Sequence, residues 1–241
     1  DISLIDDILR ESKMSEAHLR MLVEKILVHE EDGRLDLEIR LKAPFRDHLD
    51  VFENGAQTDC FPTADFDYAQ TLHFTPGAVA AGIAAMHAGA TIITDTNMAL
   101  AGITKPGLAK LGGQALCFMA DPAVAAAAKQ AGTTRAVAAM HKAAAEYPGA
   151  VLAVGNAPTA LLTIAEKIEN GLRPALVIGV PVGFVNVVES KERLFAVCES
   201  HGVPAIVAMG RKGGSNVAAA ICNALIYSAA EMLDPTARGW K

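Results

Sequence analysis

Aromatic residues are scarce in this sequence: one Trp, three Tyr and eight Phe among 241 residues. That scarcity argues against a β-sandwich and favours close packing of helices on a sheet. Four cysteines (Cys60, Cys117, Cys198 and Cys222) show no CxxC spacing. A disulfide framework and a zinc ribbon are thereby disfavoured, and buried thiols of a cytoplasmic protein are expected. No apolar run approaches the roughly 18–20 residues of a membrane span. The opening DISLIDDILR is acidic and lacks a basic segment followed by an apolar one, so no secretory signal is expected. A formal charge of −6 argues against generic nucleic-acid binding. GxxxxGK[ST], HExxH and GxSxG are all missing, and GNAPTA lacks two of the glycines of GxGxxG. A phosphate loop, a zinc protease and a hydrolase elbow are thus excluded, and no metal site is predicted.

What is present divides in two. Hydrophobic residues make up 51% and charged residues 20%, which rules out disorder of the whole chain. Residues 1–60 hold 15 acidic and 8 basic residues, whereas residues 61–241 hold 12 and 13. A boundary is expected at the turn-rich ENGAQTDCFPTAD, giving an acidic appendage over 1–60 and a main domain over 61–241. In the appendage, Leu19, Leu22, Val23 and Ile26 recur at helical spacing. KILVHEEDGRLDLEIRL then reads as two strands around Asp32-Gly33, with Leu35, Leu37, Ile39 and Leu41 alternating with polar residues.

The main domain alternates strands (91–95, 115–119, 151–154, 175–180, 205–209) with helices (76–88, 122–131, 134–146, 158–169, 188–200, 215–233). Nearly continuous apolar strands between helices predict an α/β fold. The expected architecture is a three-layer sandwich with a mainly parallel five- or six-stranded sheet, plus the N-terminal helix and β-hairpin. Thr75-Pro76, Asp121-Pro122 and Ala157-Pro158 mark helix starts. Right-handed crossovers bring the strand C-terminal ends to one edge, where ligands of such sheets bind.

Four of those ends carry unusual residues: Asp95-Thr96-Asn97-Met98, Gly155-Asn156-Ala157-Pro158-Thr159, Pro181-Val182-Gly183-Phe184-Val185 with Glu189-Ser190-Lys191, and Gly210-Arg211-Lys212-Gly213-Gly214-Ser215-Asn216. The glycines allow close backbone approach, and the helix starts offer unpaired N–H groups. Arg211, Lys212, Lys191 and Arg135 add positive charge. Together they predict a site for an anion such as a phosphate or carboxylate. Of seven histidines, His73 in LHFTPG sits near a helix start, while His87 and His141 read as solvated. His201, at a helix end, suits the negative pole of the helix dipole.

The combination of TADFDYAQTLHFTPGAV (63–79), AGATIITDTNMALAGI (88–103), GTTRAVAAM (132–140), VGNAPTAL (154–161), GVPVGFVNVVESKE (179–192) and GRKGGSNVAAAICNAL (210–225) resembles the precorrin-8X methylmutase (cobalt-precorrin-8 methylmutase) family of corrin biosynthesis. The resemblance covers residues 63–228. It implies an isomerase of cobalamin biosynthesis that moves a methyl group from C-11 to C-12 of the corrin ring, giving hydrogenobyrinate or cobyrinate. It also implies a cytoplasmic homodimer, precorrin-8X or cobalt-precorrin-8 as substrate, and no organic cofactor, nucleic acid or membrane. By the same resemblance Asn97, Met98, Arg135, Asn156, Thr159, Ser190, Lys191, Arg211, Gly213, Gly214 and Ser215 become substrate-binding residues, with Arg135 and Arg211 pairing with carboxylates.

One departure bears on catalysis. The family carries a histidine in a pattern like IHTTxDFDYA. Aligning Asp65-Phe66-Asp67-Tyr68 on it puts Phe61 at the histidine and Pro62 at the first threonine. Phenylalanine cannot transfer a proton, so the catalytic residue is left unassigned, with His73 and His48 as substitutes. The family's upstream IExxSFxxI pattern has no match in residues 1–58. There, AHLRMLVEKILVHEEDGRLDLEIRL resembles the C-terminal tail of large serine recombinases. Two readings follow: a working methylmutase with a displaced acid/base, or a catalytically impaired corrinoid-binding remnant or fusion product that has kept the pocket and lacks the family's histidine.

Overall fold

The computed structural model describes residues 23–31, 34–41, 65 and 67–232. The chain divides into two compact units, 1–58 and 59–241. In the first, β1 (Val23–Glu31) and β2 (Arg34–Leu41) pair antiparallel, with Ile26 opposite Ile39 and Glu31 opposite Arg34. The expected hairpin is present. Val23 and Ile26, however, lie in its first strand and not in a helix, because the pairing with β2 overrides their helical spacing. Leu19 and Leu22, and with them the expected helix, lie outside the described residues, as do Asp32 and Gly33, His48, Cys60, Phe61 and Pro62.

The second unit is the α/β sandwich. Its six-stranded sheet contains β3 (Leu72–Phe74), β4 (Thr91–Thr94), β5 (Gln114–Cys117), β6 (Val151–Val154), β7 (Leu176–Gly179) and β8 (Ala205–Ala208). The order across the sheet is β3-β8-β7-β6-β4-β5, all parallel except β3. The strands β6, β7 and β8 are buried along their whole length, as expected for a sheet covered on both faces. Successive residues feed opposite layers. Leu152 and Val154 join a core with α5 (Pro122–Gln130), α6 (Arg135–Glu146), α7 (Pro158–Glu169) and α8 (Val187–Ser200). Val151 and Ala153 join a core with α2 (Ala78–His87), α3 (Asn97–Gly102), α4 (Lys105–Lys110) and α9 (Ser215–Ala229). A short α1 (Tyr68–Thr71) precedes β3 and adds Tyr68 to this second core.

Small residues let the helices approach closely. A Cβ on Gly102 would stand 2.8 Å from the Ala219 Cβ, and one on Gly107 2.6 Å from the Ile226 Cγ2, both on α9. Asp121 and Thr134 cap α5 and α6, accepting from the amides of Ala123 and Val137. Thr75 behaves differently from expectation. Its hydroxyl accepts from the Ala205 amide at 2.8 Å and its own amide donates to the Ala205 carbonyl, so it prolongs the β3–β8 pairing. α2 starts instead after Gly77, in the left-handed conformation.

The chain runs outward from β4 to β5, then crosses back to β6 and continues outward to β7 and β8. The reversal places a crevice between the C-terminal ends of β4 and β6.

Candidate active site

That crevice is filled by Asp95, the residue after β4, which is 1% exposed. Its carboxylate accepts from the amide of Gly155 at 2.9 Å and from those of Asn156 and Ala157 at 2.8 Å each. Burial pushes the carboxyl up from its ordinary value, against the opposing pull of the three amides. The loop after β6 thus points its N–H groups inward at a side chain from β4. Those amides are the ones the sequence pattern offers to an external anion, and they are not available to one. Ala157 supplies no side-chain cap to α7, and Asp95 does that work from across the crevice.

Next to Asp95, Thr96 caps α3 by accepting from the Ala99 amide at 3.1 Å, and its hydroxyl lies 2.8 Å from that of Ser215, at the start of α9. The β6 and β8 loops also touch. A Cβ on Gly155 would sit 2.7 Å from the Ser215 Cα and 2.8 Å from the Gly214 carbonyl oxygen. Only glycine permits this approach. The loops after β4, β6 and β8 are therefore one packed cluster, which brings Asn97, Met98, Asn156, Gly213, Gly214 and Ser215 to a common edge. Thr159 follows in the first turn of α7 and is partly exposed.

The loop after β8 is held from the other side. Lys191, on α8, has no solvent exposure. Its ammonium donates to the carbonyls of Gly210 at 2.8 Å and Lys212 at 2.7 Å. Burial lowers its pKa from 10.5 to about 8. Gly214 donates to the Val180 carbonyl at 2.8 Å, and a Cβ on Gly213 would collide with that same carbonyl oxygen. Ser190, equally buried, donates to the Val187 carbonyl at 2.9 Å. Ser190 and Lys191 are hence both closed to solvent, each donating to backbone carbonyls behind the exposed residues of the edge.

The four cations of the anion pattern separate in the same way. Lys212 pairs with Asp65 at 2.8 Å and Asp67 at 2.5 Å, and these carboxylates raise it to about 12. Arg211 is exposed, its guanidinium 5.9 Å from the Phe184 ring centroid. Arg135 is exposed at the first position of α6. The edge also carries apolar side chains in the open: Met98 is 72%, Phe184 84% and Val185 76% exposed. Asn186, beside them, adopts a left-handed φ of 55° and ends the loop without capping α8 through its side chain.

His73 lies in β3 opposite Val207 of the neighbouring β8, with its ring edge-on to Phe195 of α8 at 5.9 Å. A cavity of about 670 Å³ between α5 and α6, lined by residues such as Val124, Val137 and His141, contains none of the expected site residues. Among the described residues no group of three His, Cys, Asp or Glu side chains could hold a metal ion, and no helix is long and apolar enough to cross a membrane. Cys198 and Cys222 are buried, which pushes both thiols up to about 12.

Asp95 and Thr96 are the structural residues that the sequence pattern did not assign. The available signal was a lone carboxylate ending an apolar strand, TIITD, in a chain whose next strand but one ends in a glycine turn.

An open α/β sheet with loops gathered at its switch point, and with one exposed arginine among apolar side chains, defines a ligand-binding edge of the kind that α/β enzymes use. The comparisons make the class specific. The family model described as precorrin-8X methylmutase matches residues 60–228. A cobalt-precorrin-8 methylmutase of Salmonella typhimurium is 49% identical over 166 residues, spanning 68% of this chain and 76% of the relative. A precorrin-8X methylmutase of Pseudomonas aeruginosa is 43% identical over 160 residues, 66% and 76% of the two chains. The solved structure of a precorrin-8X methylmutase from Thermus thermophilus superposes with a TM-score of 0.65 at 38% identity, covering 79% of this chain and 98% of that one. The chain belongs to the precorrin-8X methylmutase family, whose members are isomerases of cobalamin biosynthesis.

Proposed function

We propose that this protein binds precorrin-8X or cobalt-precorrin-8 on the strand-end edge and moves its methyl group from C-11 to C-12. The observation that carries the reading is the edge around Arg211. A corrin macrocycle is flat and apolar in its middle and bears acetate and propionate groups on its rim. Met98, Phe184 and Val185 offer exposed apolar surface, and Arg211 stands beside Phe184 as an exposed cation. Arg135 is a second exposed guanidinium on the same unit. A guanidinium grips a carboxylate bidentately, which orients the ring as well as holding it.

The reaction is an isomerisation, so the methyl group leaves one ring carbon and arrives at its neighbour with no co-substrate. The protein must fix the orientation of the ring, exclude water and move a proton. Asn97, Asn156, Thr159, Gly213, Gly214 and Ser215 line the place where orientation is set. Ser215 faces it with a hydroxyl already paired to Thr96. Asp95 is not the proton donor, because both carboxylate oxygens are occupied by amides and the group is closed to solvent. The family resemblance supports a homodimer and a cytoplasmic setting. Sedimentation equilibrium at micromolar concentration tests the first, and a monomer would count against it.

The test of function is incubation of the purified chain with precorrin-8X, followed by absorbance scanning for hydrogenobyrinate, with Phe61→His run in parallel. The expected outcome is turnover by the unaltered chain. A shifted ligand spectrum without turnover, cured by Phe61→His, would give the protein a corrinoid-binding role and locate the lost proton transfer at residue 61. Neither turnover nor a shifted spectrum would refute the assignment of this substrate.

A further inference from the structure

We propose that Lys191 is the positioning residue for Arg211: by holding the carbonyls on both sides of it, Lys191 fixes the direction in which the guanidinium meets the ligand. The inference rests on the reading of Arg211 as a contact for a substrate carboxylate.

The two acceptors of the Lys191 ammonium belong to Gly210 and Lys212, the immediate neighbours of Arg211 in the chain. The carbonyl between them, that of Arg211, accepts from the Gly183 amide at 3.3 Å. Three successive carbonyls are thus held, two of them by one side chain. Peptide units are planar, so fixing the planes before and after a Cα fixes the direction of its Cα–Cβ bond. Lys191 holds the plane before Arg211 through the Gly210 carbonyl, the Gly183 amide holds the plane after it through the Arg211 carbonyl, and the second Lys191 bond pins the plane beyond, at Lys212. The side chain of Arg211 leaves toward solvent, over Phe184.

The loop has no stiffness of its own to do this. Gly210, Gly213 and Gly214 all have positive φ and surround the arginine. Glycine resists rotation least of all residues. A lysine head suits the task because it is compact and carries three rotatable donors for carbonyls arranged around it. Its position is costly: the ammonium is buried, and it donates to the neutral carbonyls of Gly210 and Lys212. A methionine there would fill similar space and leave both carbonyls without their donor.

The experiment has two arms. The first is amide hydrogen exchange on the free protein. The amides of Gly183 and Gly214 should be protected in the unaltered chain. In Lys191→Met they should exchange at least about tenfold faster, while those of Gly155, Asn156 and Ala157, held by Asp95, stay unchanged. The second is a double-mutant cycle on the affinity for hydrogenobyrinate. Lys191→Met and Arg211→Met should each weaken binding about tenfold, and the double variant should bind no more weakly than Arg211→Met alone.

Additive losses would overturn the proposal, because Lys191 would then act through something other than Arg211. Unaltered binding by Lys191→Met would do the same. Rapid exchange of Gly183 and Gly214 in the unaltered protein would show that the clamp is not closed in solution, a result that needs no variant to fold. If the unaltered protein bound no hydrogenobyrinate, the substrate reading would fall and Arg211 would lose its assigned ligand, while the exchange arm would still decide whether the clamp exists.

Discussion

Two loops at one edge of the sheet are held by opposite means. The loop after β6 is gathered by a buried carboxylate that accepts three of its amides. The loop after β8 is gathered by a buried ammonium that receives two of its carbonyls. A loop that turns its amides inward is a poor cradle for an anion. A loop that turns its carbonyls inward leaves its arginine outward. Two glycine-containing loops of similar length therefore differ in what they can present, and the difference is set by one charged side chain beneath each. On the proposed reading, a substrate carboxylate is met by Arg211 of the β8 loop, and the β6 loop contributes shape.

The largest test of that contrast is Asp95→Asn. The change keeps the volume, but leaves one acceptor for three amides and brings an NH2 group against them. Unfolding by denaturant should show a loss of about 3–5 kcal/mol with an unchanged slope. A loss under about 1 kcal/mol would mean that water or the loop itself can satisfy the amides.

The ammonium side of the contrast can be read from pH. Lys191 has a pKa of about 8 in the folded protein against an ordinary 10.5. Between these values the unfolded chain holds the proton and the folded one has released it, so stability rises with pH across that window. Relative to Lys191→Met, in which this group is removed, the unaltered protein should gain roughly 3 kcal/mol between pH 7.5 and 10.5. Parallel pH profiles of the two proteins would show that the ammonium is better solvated than its burial implies.

The smallest effect is expected where the two loops meet. Thr96→Val removes both the cap of α3 and the contact with Ser215. Thermal or chemical unfolding should register a loss of about 1 kcal/mol. A larger loss would mean that the hydroxyl pair is what ties the differently held loops together.

Much of the fold was legible in the sequence because it is written in short apolar runs. TIIT, VLAV and AIVA became strands nearly as read, and the proline-marked starts of α5 and α7 fell where expected. β3 was not legible. Three residues carry no period, and LHF becomes a strand only through pairing with β8. α3 and α4, six residues each, are likewise too short for periodicity to register. At the site, glycines, asparagines and cations after strand ends pointed to the right edge. They could not say which way a charge faces. Lys191 and Lys212 read as anion-seeking cations, yet one bonds backbone carbonyls and the other pairs with Asp65 and Asp67. The sequence records the sign of a side chain, and its direction comes from the packing of α8 and the turn into α1.

The reversed direction of β3 has a consequence for how such a protein can change over time. Because β3 runs against β8, α1 lies by the C-terminal end of β8: the Met209 amide reaches the Thr71 carbonyl at 2.7 Å, and Asp65 and Asp67 pair with Lys212 of the next loop. Asp65 is thus anchored at the β8 loop, on the ligand edge and not at the opposite rim. The described core residues of this unit all lie at or beyond Tyr68, so a chain exchanged ahead of Asp65 is expected to keep the sheet and both cores. The architecture works as a fixed handle, and an experimenter could graft new upstream segments onto it to select for altered reactions.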